Sequence, residues 1–91
     1  MEPLNATATS ALRRLLETQP TTPAKVAFAW RIAAGAAMER ATEIELRQDG
    51  VFVVRSRHEA WRAGIKDGRA VLLRRMQDLL GQDVVSRLDI E

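Results

Sequence analysis

The chain has 91 residues, 46% apolar and 29% charged, with a formal net charge of +2. That length supports one domain, residues 1–91, which buries only somewhat more than about 60% of the surface its unfolded chain exposes. It contains no cysteine and one histidine, which excludes disulfides, thiolate metal centres and a multi-ligand zinc site. The opening Met-Glu-Pro-Leu-Asn lacks the basic and apolar regions of a signal peptide, and no apolar run approaches the roughly 20 residues that cross a bilayer. The expectation is a cytoplasmic protein without membrane contact.

Residues 1 to 8 read as frayed. A first helix is predicted from about Ser10 to Thr18, with Leu12, Leu15 and Leu16 on one face. Pro20-Thr21-Thr22-Pro23 ends it and starts the next. Thr22 is a good N-cap, and Pro23 suits a first helical position, where its missing N–H has no partner to lose. The second helix runs to about Gly35, with Val26, Trp30 and Ala33 sharing a face. Residues 36 to 42 fit either another helical turn or a loop.

Glu43-Ile44-Glu45-Leu46-Arg47 and Phe52-Val53-Val54-Arg55-Ser56 alternate as strands around an Asp49-Gly50 turn signal. Parity favours a three-residue loop, Gln48-Asp49-Gly50. It sets Leu46 against Phe52, Ile44 against Val54 and Glu43 against Arg55, with Gly50 in the left-handed position that this loop type needs. The outer face of this hairpin reads as Glu43, Glu45, Arg47, Val51, Val53 and Arg55, a mixed surface suited to protein contact.

A helical stretch follows from about His58 to Leu80, with Trp61, Ile65, Leu72, Met76 and Leu79 as its apolar stripe. Gly64 and Gly68 each weaken it by roughly 1 kcal/mol relative to alanine, so a break near Gly68 is expected. Gly81 is a natural C-cap. Val84 to Ile90 alternates as a third strand, with Val85, Arg87 and Asp89 on one side. The fold class is α+β, ordered α-α-β-β-α-β, with a small three-stranded sheet and helices on one face. The link from the second strand to the third is a helical crossover, right-handed if the strands are parallel.

Residues 55 to 75 hold seven Lys or Arg and two acids, a local charge of +5 that leaves −3 for the rest. Arg62, Lys66 and Arg69 recur at i, i+4 and i+7 and form a ridge, with Arg55 and Arg57 at the end of the preceding strand. Such a ridge can neutralise phosphates, meet an acidic protein, or simply keep a face solvated. Helical spacing does not fix the facing of Arg74 and Arg75. Trp30 and Trp61 sit in apolar stripes and read as core, and Phe28 and Phe52 have apolar neighbours, so no stacking platform is expected. His58 reads as a solvent-exposed helix start. Gly64-Ile65-Lys66-Asp67-Gly68 has three residues between its glycines, where the nucleic-acid clamp of KH domains has two. No cofactor motif and no catalytic constellation is present, so no catalytic residue is assigned.

Trp30-x4-Gly35, then Asp49-Gly50-x-Phe52-x-Val54-x-Ser56-x4-Trp61, then Leu72-Leu73, Leu79-Leu80-Gly81 and Val84-Val85-x-x-Leu88 fall in an order that resembles the bacterial DciA family of replicative helicase loaders or operators. The resemblance covers about Leu12 to Ile90, with Trp30, Gly35, Gly50 and Trp61 as its structural signature. It implies a KH-like fold without a true GXXG loop, the hexameric replicative helicase as partner, and single-stranded or forked DNA as a second ligand. The function it implies is a non-enzymatic adaptor that recruits or loads the helicase. The alternatives are a stand-alone single-stranded nucleic-acid binder and a general protein-interaction module. Many relatives carry a long disordered extension that this sequence does not show, and weaker or different helicase binding is expected where that extension contributes contacts.

Overall fold

The structure, a computed structural model, describes residues 20–91. The expected frayed segment and the helix at Ser10 to Thr18 lie outside the described residues. The first described helix, α1 (Pro23–Ala34), begins as its sequence dictates. Thr22 takes an extended backbone and its hydroxyl accepts from the Lys25 amide at 3.1 Å. Gly35 ends the helix at φ +92°. A short helix, α2 (Ala36–Arg40), fills the segment that the sequence left open between turn and loop.

Two antiparallel strands follow, β1 (Glu43–Leu46) and β2 (Val51–Arg55), in the predicted register: Glu43 with Arg55, Ile44 with Val54, Leu46 with Phe52. Gly50, at φ +87°, closes the loop. A Cβ there would stand 2.8 Å from the Ser86 hydroxyl. The left-handed backbone alone costs an L-residue about 1–2 kcal/mol, so Gly50→Ala is expected to lower the urea midpoint by at least that equivalent. Adding Ser86→Ala should recover only the steric part.

The predicted break at Gly68 divides the long helix into α3 (Glu59–Asp67) and α4 (Arg69–Leu80). Gly81 caps α4 at φ +108°. The last strand, β3 (Arg87–Ile90), pairs in parallel with β2, so β2 lies at the centre of a mixed sheet ordered β1-β2-β3. The α+β class and the order helix-helix-strand-strand-helix-strand are those expected, with the third helix in two pieces.

The core lies between the helices and one sheet face. Val26, Ala29, Trp30 and Ala33 of α1 and Leu72, Met76, Leu79 and Leu80 of α4 pack with Phe52, Val54 and Leu88. Trp30 and Phe52 have ring centroids 5.3 Å apart at a 59° tilt. The indole N–H donates to Thr42 Oγ1 at 3.0 Å, and that hydroxyl donates in turn to the Met38 carbonyl at 2.8 Å. The Arg75 guanidinium donates to the Ala33 carbonyl at 2.9 Å, which ties α4 to the end of α1 and fixes the facing of Arg75.

Four expectations are corrected. Trp61 is half-buried and belongs neither to the core nor to the residues packed against it. The physical reason is the break at Gly68: α3 anchors through Ile65 alone, and α4 carries the rest of the stripe. Phe28 is 47% exposed, because α1 turns Val26, Ala29, Trp30 and Ala33 inward and leaves residue 28 on the far side. The third strand does not begin at Val84. Val84 and Val85 both donate to the Gly81 carbonyl in a tight turn, which swings Val85 into the core, opposite to the simple alternation.

The outer sheet face is also less open than expected. Val51 and Val53 are both buried. The cross-strand neighbours of Val53 are Glu45 and Asp89, and both are held in ion pairs, with Arg55 and Arg87 respectively. The stems of such long side chains cover apolar surface while their charges stay wet.

Candidate nucleic-acid interface

The link between β2 and α3 turns on one buried residue. Ser56 donates its hydroxyl proton to the Ala41 carbonyl at 3.1 Å and accepts from the His58 amide at 3.2 Å. Its own carbonyl accepts from Arg62 Nη1 at 3.1 Å. These three bonds fix where the chain leaves the sheet, and so fix Arg57 and His58, both exposed.

The five basic residues singled out by the sequence divide into two groups. Arg55 bonds Glu45 at 3.0 Å and Glu91 at 2.9 Å. The hydrogen bonds to Glu45 and Glu91 raise its pKa, so its charge is fixed and already partnered. Arg62 bonds Glu59 at 3.0 Å as well as the Ser56 carbonyl. Among the described residues, the side chains of Arg57, Lys66 and Arg69 make no hydrogen bond or ion pair. The expected ridge is therefore three open cations, Arg57, Lys66 and Arg69, and two structural arginines, Arg55 and Arg62.

Two concavities hold these groups. One, about 420 Å³, lies where α2 meets the β2–α3 junction and is lined by Arg40, Glu43, Arg55, Ser56, Arg57 and His58. The other, about 590 Å³, lies between α3, the start of α4 and the end of β3. It brings Arg62, Lys66 and Arg69 together beside Ile90 and Glu91. Arg69 thus joins the ridge although Gly68 places it on a separate helix. Arg40 was not among the residues the sequence singled out. The signal was present in the hairpin register: pairing Glu43 with Arg55 sets the residues just before 43 beside those just after 55.

Among the described residues, no group of three His, Asp or Glu side chains is arranged to hold a metal ion. None of the described helices is long and apolar enough to cross a membrane. Large apolar side chains are exposed at Phe28 and Ile32 on α1 and at Val71 on α4.

Fold and site together define a small α+β domain with a mixed sheet and an open, cation-lined surface at the ends of β2 and β3. The chain belongs to the DciA family, described as the Dna[CI] antecedent, whose family model matches residues 3–90. No curated protein and no solved structure matches it.

Proposed function

We propose that this protein is a non-enzymatic, cytoplasmic adaptor that helps recruit or load the bacterial replicative DNA helicase and has weak, non-sequence-specific DNA affinity. The observation that carries this reading is the family match across residues 3–90. On this reading the β2–α3–α4–β3 unit is KH-like, with Gly68 at the helix junction where a KH domain carries its GXXG clamp. The helicase side is the exposed apolar part of α1 and α4, at Phe28, Ile32 and Val71, and the DNA side is the cationic surface around α3. Sedimentation of the chain with a bacterial replicative helicase tests the reading: a complex at micromolar concentration is expected, and its absence overturns the adaptor role.

A second reading, a stand-alone single-stranded nucleic-acid binder, is favoured by the open state of Arg57, Lys66 and Arg69. Either reading expects binding whose log affinity falls with log salt. Each phosphate neutralised on a single strand contributes about 0.7 to that slope. Lys66→Ala with Arg69→Ala is therefore expected to reduce its magnitude by about 1.4. An affinity indifferent to salt removes the nucleic-acid role from both readings. A general interaction module is what remains if neither helicase nor nucleic acid binds.

A further inference from the structure

We propose that the open cations form one continuous track for a single nucleic-acid strand, entering the chain at Arg40. The proposal rests on the DNA affinity argued above and says where the strand runs. Arg40 and Arg57 line the first concavity, and neither has a hydrogen-bond or ion-pair partner among the described residues. Lys66 and Arg69 line the second and are equally open. The two concavities meet at one contact: Ser56 lines the first, Arg62 lines the second, and the Arg62 guanidinium bonds the Ser56 carbonyl at 3.1 Å. A backbone seated on Arg40 and Arg57 passes over that contact into the groove of Lys66 and Arg69, which Glu59 and Glu91 also line.

The surface suits one strand rather than a duplex. A helix that reads a major groove presents a set of Arg, Lys, Asn or Gln side chains to base edges. The exposed positions of α3 are Glu59, Ala60, Ala63, Gly64, Lys66 and Asp67, so a single reader stands between two carboxylates. Two unpaired acids oppose the track, Glu43 and, next to Lys66, Asp67. Glu43 lines the first concavity and makes no ion pair among the described residues, whereas Glu59 and Glu91 are neutralised by Arg62 and by Arg47 and Arg55. Glu43 therefore tunes affinity downward and makes the geometry testable from both signs of charge.

The experiment is fluorescence anisotropy of the full chain with labelled oligothymidylate, oligouridylate and duplex DNA over a salt series. Four open cations on one strand set an expected slope of about −2.8. Arg40→Ala and Arg57→Ala each reduce its magnitude by about 0.7. Arg31→Ala, on α1, leaves it unchanged, and Glu43→Gln tightens binding. Equal binding of the two oligonucleotides supports a backbone track. If Arg40→Ala keeps the wild-type slope while Lys66→Ala reduces it, the track stops at the groove and the inference fails, with DNA affinity intact. Preference for the duplex, or displacement of the oligonucleotide by polyglutamate at equal charge, also overturns it. A wild-type chain with no salt-dependent binding overturns the DNA affinity itself.

Discussion

Trp30→Ala is expected to bring the chain to the edge of unfolding at room temperature. Trp30 is 1% exposed, and removal of a buried tryptophan costs about 3–5 kcal/mol in transfer and cavity terms. Small domains have total stabilities near the low end of roughly 5–15 kcal/mol, so one substitution removes most of what holds this fold. Three independent contacts converge on this ring. It packs on Phe52 at the centre of the sheet, it sits on the α1 face that meets the core, and its N–H engages Thr42 beyond the end of α2. Trp30→Phe separates these effects. It keeps an aromatic ring against Phe52 but gives up the hydrogen bond to Thr42, a loss on the order of 1 kcal/mol. Urea unfolding followed by far-UV circular dichroism reads both variants. An alanine variant within about 0.5 kcal/mol of wild type, the scale of an ordinary surface change, shows that the Trp30 site is not part of the core.

The second large effect concerns the protein partner. Phe28→Glu combined with Val71→Glu is expected to abolish the helicase complex, weakening it by at least about 30-fold, the scale of one interface hot spot. Phe28 is 47% and Val71 53% exposed. Substitutions at such positions ordinarily change stability by no more than about 0.5 kcal/mol, so the melting temperature should hold while the complex is lost. Salt-dependent oligonucleotide binding through Arg40, Arg57 and Lys66 should also hold, because those cations lie on other elements and Arg69 alone shares α4 with Val71. A complex of undiminished affinity assigns the helicase to another face. A wild-type dimer that the double variant converts to monomer gives the apolar face to a second copy of the chain.

Most of the architecture was legible because local rules agree with one another here. Thr22-Pro23 and Gly35 mark the ends of α1, and the parity of large residues around Asp49-Gly50 fixed the register of the hairpin to the residue. The weakness of a helix containing Gly64 and Gly68 located the break between α3 and α4. What was not legible followed from tertiary facts that periodicity does not carry. An apolar stripe drawn straight through Gly68 enlisted Trp61, but a helix anchored by Ile65 alone need not bury the turn before it. Alternation after Gly81 missed a turn set by two amides on one carbonyl.

The candidate site was half legible. Charge density found the right neighbourhood, but sequence gives no account of which arginines are already engaged. Arg55 and Arg62 differ from Arg57 only in what stands across from them in space. Arg40 came into view only when the hairpin register was followed past its last paired residues.

The mixed sheet has a consequence for how the molecule assembles. The Leu46–Phe52 pair closes a chain separation of six residues, whereas the Phe52–Leu88 pair closes one of 36. Loop-closure entropy grows as about 1.5 RT ln n, so the second pairing costs about 1.6 kcal/mol more than the first. The hairpin is thus the early unit, and the short parallel strand β3, which brings Leu88 into the core, docks later. Ile90, on that strand, shares the groove of Lys66 and Arg69. The wall of the basic groove that Ile90 supplies is therefore completed after the concavity at Arg40, which is built on the hairpin and the β2–α3 junction.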